Sequence, residues 1–371
     1  GALADGRRLD WPMAACVYVS FCMPGGLLLI PKIFAVLGYA LGPVVLLGFF
    51  GVLTFAMRGI VDAAAALDPP GLAELGRLLA GPRMKACLLA LQTLNVLFYM
   101  PFALSVAALT VQQLVAAPAG TLGDCNGLYC VAVAAFVFAV SQACRNFHGA
   151  SFVGEWQPAR ALERAGRELT DGRARKRPDP APAFVALSAA QTALLVYLLA
   201  RDHPADEVPR RAAVIGAGGS AYAGLRDWIS IVTALANCTV SYVSGFIAVE
   251  VTGEMRRPAD RHKAIGLAAA FMYACYLAVG TAGAFLLGPR TPPVVTMALP
   301  AGDPLAAAVH VAVLIGMVYG YLLSGIIVGN NALDLAVAGL RRLGAAGAAP
   351  SPAGKQPPGA AKGFLLWLCC T

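Results

Sequence analysis

The chain is expected to fold as an all-α polytopic membrane protein, and three observations predict it. Hydrophobic residues make up 58% of the 371 and charged residues only 13%, about half the charged share of an ordinary soluble domain. Apolar runs of about 20 residues recur, each long enough to cross a bilayer as a helix. Lys and Arg alternate in density from one connecting segment to the next, as the positive-inside rule requires.

The expected spans lie near 12–35, 39–63, 86–116, 128–147, 183–200, 226–250, 264–288 and 304–328, within one transmembrane domain. A ninth is expected to start at residue 363 and is interrupted by the last residue, Thr371, so the chain is expected to be C-terminally incomplete. With the amino terminus in the cytosol, 22 of the 28 Lys and Arg fall on the cytosolic side. Five (Arg201, Arg210, Arg211, Arg226 and Arg290) fall outside, and Lys32 sits at the outer end of the first span. The net charge of +8 is therefore an orientation signal with an attraction to anionic lipid, and it does not point to nucleic acid. Plasma membrane and endomembrane are both compatible with spans of this length.

The first span carries Ser20-Phe21-Cys22-Met23-Pro24-Gly25-Gly26 and then Pro31. Pro24 cannot donate a helical hydrogen bond, and Gly25 and Gly26 permit backbone conformations closed to other residues. A break is expected there. After the second span, segment 66–84 has an amphipathic stretch (Leu72, Leu75, Leu78, Leu79) that fits an interfacial helix. Tyr99 in the third span reads either as an aromatic wall of a binding site or as a packing tyrosine. Segment 154–182 is a cytosolic basic loop, and 343–362 is a flexible Gly-, Ala- and Pro-rich linker. The run Gly216–Ser220 lacks the strand and helix start that a phosphate loop needs.

The sixth span has a second interruption at Ser241-Tyr242-Val243-Ser244-Gly245, and it leaves the membrane at a charged elbow, Glu254-Met255-Arg256-Arg257-Pro258. Non-helical backbone at membrane depth is tolerated where it is buried or lines a cavity. Breaks in the first and sixth spans suit an inverted repeat of five spans each, with a binding site between the broken helices. Ser20, Ser241 and Ser244 supply hydroxyls there. Ionisable residues near or within spans are Glu250, which reads as a gate, a proton site or a salt-bridged carboxylate, and His310. Ser324 is a hydroxyl at a depth where a sodium ion could bind. Cysteines within spans (Cys16, Cys22, Cys87, Cys144, Cys238, Cys275) read as small packing residues. Cys125 and Cys130 share one short outer loop, where a local disulfide is one alternative. No nucleophile–His–acid set and no Cys/His metal cluster stands out, so neither an enzyme nor a metalloprotein is expected.

These motifs resemble the amino acid/auxin permease family, within the amino acid–polyamine–organocation superfamily. Its first-span pattern G-x-G-x-L-x-x-P is met at Gly26, Leu28 and Pro31, with Pro24 in place of the first glycine. Its sixth- and seventh-span pattern is met at Gly245, Glu254, Met255, Arg256, Pro258, Tyr276, Gly280, Gly283 and Gly288, with Val243 in place of an aromatic residue. The resemblance implies a leucine-transporter-like fold and secondary transport of amino acids or related small zwitterions by alternating access, coupled to protons or sodium. The substrate would meet Ser20, Met23, Pro24, Gly25, Gly26, Tyr99, Ser241, Tyr242, Ser244 and Gly245. Coupling would involve Glu250, His310 or Ser324, with no cofactor beyond the ion. The implied partners are an amino acid and membrane lipid. The departure at Pro24 and the incomplete tail keep a second reading open: a sensor or structural subunit of the same fold that does not transport.

Overall fold

The computed structural model describes residues 9–38, 40–67, 71–115, 126–146, 181–202, 228–242, 245–253, 255–288, 291–300, 302–321 and 324. These residues form α1 (Trp11–Leu37), α2 (Leu41–Leu67), α3 (Leu72–Ala80), α4 (Pro82–Val115), α5 (Asn126–Asn146), α6 (Ala181–Asp202), α7 (Trp228–Ser241), α8 (Ala248–Gly253), α9 (Arg261–Leu287) and α10 (Pro304–Tyr321). Six helices are long and apolar enough to cross a membrane: α1, α2, α4, α6, α9 with the turn before it, and α10. The protein is a multi-pass membrane protein. The expected spans outnumber these six for two reasons. The sixth is divided into α7 of 14 residues and α8 of 6. The apolar side chains of α5 are described only over Gly127–Val137.

Burial places α1 at the centre. Every residue from Tyr18 to Pro31 is buried, so this helix is covered on all sides, as its uniformly apolar sequence demands. It packs chiefly against α9, then α7 and α6. By contrast, α2 buries only Gly42, Leu46, Met57, Val61 and Ala64 and leaves Val52 and Phe55 outward, the latter 80% exposed. In water such a face would be an aggregation liability, whereas against acyl chains it is matched to its solvent. Both α1 and α9 stop at glycines with positive φ, Gly38 at 86° and Gly288 at 56°, where their N–H groups cap Phe34 and Ala284.

The expected break in the first span does not form. The helix α1 runs unbroken through Pro24, Gly25, Gly26 and Pro31. Each proline removes one N–H donor, from Ser20 and Leu27 respectively, but the rest of the ladder continues on either side. The physical reason lies in the neighbours. A Cβ built on Gly316 of α10 would stand 2.7 Å from the Pro24 ring, and one on Gly283 of α9 would stand 2.6 Å from Pro31 Cβ. Both proline rings are seated on bare backbone, which holds α1 straight. Gly280 likewise receives Ile30, 2.7 Å from a built Cβ.

The helix α3 lies where the amphipathic stretch occurs. Its Leu75 packs with Ala64 of α2 and Val249 of α8. Glu74 in its first turn accepts hydrogen bonds from Arg77 and, at 3.0 Å, from Lys85 at the start of α4. The Arg77 contact first, and Lys85 after it, hold the Glu74 carboxyl below its ordinary value of 4.5. Cys125, residues 154–180 of the expected basic loop and segment 343–371 lie outside the described residues, while Cys130 is a free thiol.

Two outcomes are expected. Gly283→Ala should cost about 1–3 kcal/mol by overpacking against Pro31, read as a lower unfolding midpoint of the purified chain. Gly48→Ala, with nothing within 4 Å of its Cβ, should leave the midpoint unchanged or raise it. For Glu74 the folded pKa lies below the unfolded one, so its stabilisation is complete above about 4.5. It is lost as pH falls through the lower folded value. With the intrinsic exchange rate divided out, the protection of α3 amides should therefore fall on acidification in the native chain, and should be lower at neutral pH but flat in that window in Glu74→Gln.

Candidate functional site

The sixth span stops where its own hydroxyls compete with its backbone. Thr239 Oγ1 donates to Leu235 O at 3.1 Å and Ser241 Oγ to Asn237 O at 2.8 Å. Such back-bonding loosens a helix end. The Tyr242 N–H then closes a tighter turn on Thr239 O at 3.2 Å. A short 3₁₀ turn, Gly245–Ile247, follows, and α8 starts at Ala248. The expected interruption is thus present at Tyr242, with Val243 and Ser244 outside the described residues. Gly245 has nothing within 4 Å of a built Cβ and is not among the glycines of positive φ, so neither close approach nor backbone conformation requires glycine there.

The interruption is clamped onto α1 from two sides. Tyr276 of α9 is fully buried, and its hydroxyl lies 3.1 Å from Cys22 O of α1 and 3.0 Å from Ser241 O at the end of α7. With one proton it donates to both in a shared bond or to one at a time. This places Tyr276 directly over Gly26: a Cβ there would meet the Tyr276 hydroxyl at 2.1 Å and Ser241 Cβ at 3.0 Å. Lower on α1, Tyr18 donates to Ala248 O at 3.3 Å. Leu9 pairs with Met255 as an isolated parallel bridge, and Arg256 N–H donates to Leu9 O at 2.9 Å. The first span, the interruption and the elbow are therefore one contact surface.

On an adjoining face of α1, about 100° around the helix, Gly25 faces Phe102 and Tyr99 of α4 and Met317 of α10 at ordinary contact distances. Tyr99 stacks on Phe21 with centroids 6.1 Å apart, and its hydroxyl lies against Gly320, 2.6 Å from a built Cβ. Tyr242 stands edge-on to Tyr276 at 5.4 Å and to Phe50 at 5.2 Å. Tyr99 Oη and Tyr242 Oη are both buried and have no hydrogen-bond partner among the described residues. An unpaired buried hydroxyl costs about 1–3 kcal/mol. Tyr242 also lines a space of about 300 Å³, open mouth included, between α1, α2 and α9, with Tyr18, Phe50, Thr54 and Met272 among its walls.

No family model matches this chain, and no curated protein or solved structure matches it. The site therefore rests on its own geometry.

That geometry gathers Met23, Pro24, Gly25, Gly26, Tyr99, Ser241 and Tyr242 around the middle of α1. Met23 is fully buried, and Pro24 is taken up by Gly316. The hydroxyls of Ser20 and Ser241 donate to carbonyls four residues back, Ser20 to Cys16 O at 2.7 Å, which leaves only their lone pairs for a ligand. His310 is 3% exposed with an unpartnered Nδ1, and Ser324 Oγ is buried and unpartnered among the described residues. His310 lies ten residues from Gly320 on α10, about 15 Å away, so it does not share the Tyr99 contact. Glu250 sits in α8 with its side chain outside the described residues, as is the whole of Glu254. Arg256 reaches Asp10 at 3.8 Å, both exposed; Arg257 is exposed, and Pro258 opens the turn before α9. Asp303 pairs with Arg201 at the end of α6, which holds its carboxyl below the usual range, and it caps the Leu305 N–H at 2.9 Å. Among the described residues no three His, Cys, Asp or Glu side chains gather as a metal site.

The sequence reading missed Tyr276 as the bridge. Its signal was present: a tyrosine followed by glycines at 280 and 283 on one helical face. The Gly26–Tyr276 contact yields a third expectation. Gly26→Ala and Tyr276→Leu should each lower thermal stability, and the double variant should lose less than the sum by about 1 kcal/mol or more, as contacting residues do. Strict additivity would mean that the two do not touch.

Proposed function

We propose that the chain is a secondary active transporter of amino acids or related small zwitterions, proton- or sodium-coupled, working by alternating access. The observation that carries this reading is the interrupted sixth span clamped to the middle of α1 by one phenol, with two further phenols, unpaired among the described residues, beside it. The end of α7 directs its carbonyls toward this point, and the negative end of a helix dipole favours an ammonium or a cation. The resemblance to the amino acid/auxin permease family supplies the substrate class and the inverted five-span repeat. The basic residues of 58–85 and 256–263 would lie in the cytosol with the amino terminus.

In this reading the closed packing around Gly25 and Gly26 is an occluded arrangement. Loading requires Tyr276 to release Cys22 O or Ser241 O, so that the freed carbonyl can accept from the substrate ammonium. Tyr99 and Tyr242 then find partners in the substrate or its waters. His310 and Ser324 are alternative ion positions, too far apart to act as one.

A second reading follows from the unbroken α1: a sensor or structural subunit of the same fold, in which the interruption binds a ligand without moving it across. Proteoliposome uptake of radiolabelled amino acids under imposed proton or sodium gradients separates the two. Gradient-driven accumulation is expected for the full-length chain, with Tyr242→Phe lowering it about 3- to 10-fold through loss of one hydrogen bond. Binding without accumulation, across a broad panel, would leave the sensor reading standing.

A further inference from the structure

Alternating access requires a helix beside α1 to move. Between α1 and α9, Gly26, Gly280 and Gly283 each seat a side chain of the opposing helix. No glycine among the described residues has an α6 side chain among its nearest atoms, although α6 packs on both α1 and α9. The buried face of α6 is divided. Toward the Asp202 end it consists of Leu195, Leu198 and Leu199, each at most 1% exposed. That end is tied as well: Arg201 pairs with Asp202 at 2.7 Å and with Asp303 ahead of α10. At mid-helix the same face is polar, with Ser188, Gln191 and Thr192 all buried. The Thr192 hydroxyl donates to Ser188 O at 2.8 Å and lies within hydrogen-bond reach of the Cys275 thiol of α9. Gln191 is 4% exposed, and its Nε2 has no hydrogen-bond partner among the described residues. Before this seam, Ala183 and Ala186 are exposed and Val185 and Leu187 half-buried.

A polar face loses less on meeting water than a leucine face does, and an unpaired amide regains its hydrogen bonds there. We infer that α6 is the gate of the bundle: it pivots at its Asp202 end and parts from α9 along Ser188, Gln191 and Thr192. The parting seam leads to Cys275 and so to its neighbour Tyr276, whose release from Cys22 O or Ser241 O loads the site. The gate rests on the transport reading for its purpose, and it names the helix that moves. The Gln191 carboxamide raises the free energy of the closed seam and so favours its opening.

The chain's own thiols report on this movement. The full chain in nanodiscs is treated with a small anionic methanethiosulfonate, and labelling is read at each cysteine by peptide mass spectrometry. Cys275, under α6, should label faster than the buried Cys238 of α7. Gln191→Leu should slow Cys275 about fivefold or more, the ratio set by the least cost of an unpaired buried polar group, and should raise the unfolding midpoint. Gln191→Asn, which keeps the amide, should not slow it. Cys238 and the exposed Cys87 should label alike in all three chains. Labelling of Cys275 no faster than that of Cys238 in the native chain would overturn the inference. So would an undiminished rate in Gln191→Leu, an equal slowing in Gln191→Asn, or a change shared by Cys238. Since no substrate is added, these results judge the gate whether or not the chain accumulates amino acids.

Discussion

The arrangement depends on how closely α9 approaches α1. Tyr276 can reach the carbonyls of Cys22 and Ser241 only because Gly26 has no side chain. Any Cβ at Gly26 would occupy the position of the phenol oxygen. The α9 register that permits this also sets Gly280 on Ile30 and Gly283 on Pro31, one and two turns along. Three contacts in a row on one face fix the register of α9 on α1. The end of α7 is located in turn, because its last carbonyl is held by the same hydroxyl.

Within a bilayer this matters more than it would in water. Apolar burial drives little association between helices surrounded by acyl chains, so close packing over small residues and buried hydrogen bonds must do the work. Both are concentrated at Gly26–Tyr276. The hydroxyls of Tyr99 and Tyr242, unpaired among the described residues, lie just outside that contact. They contribute bulk to the packing.

Helix content and the interruption after Ser241 were legible in the sequence, because length, hydropathy and clustered hydroxyls beside a glycine are local signals. The straightness of α1 was not. Pro24-Gly25-Gly26 reads equally well as a broken helix or as a surface shaped for close neighbours. The deciding partners, Gly283, Tyr276 and Gly316, lie some 250 to 290 residues away in the chain. The same limit hid the bonding of Ser20 and Ser241: a serine offered to a ligand and a serine bonded four residues back have identical sequence surroundings.

The pairing of Leu9 with Met255 has a mechanical side. A helix of α1's length is a stiff rod, gripped at mid-height by Tyr276 and tethered at its foot to the elbow between α8 and α9. Tilting the foot outward would therefore drag the elbow with it, unless the Leu9 strap lets go first. A bulky fusion placed immediately ahead of Leu9 would load that strap continuously. The position of a tag at this end thus biases which shape of the molecule is isolated, before any ligand is added.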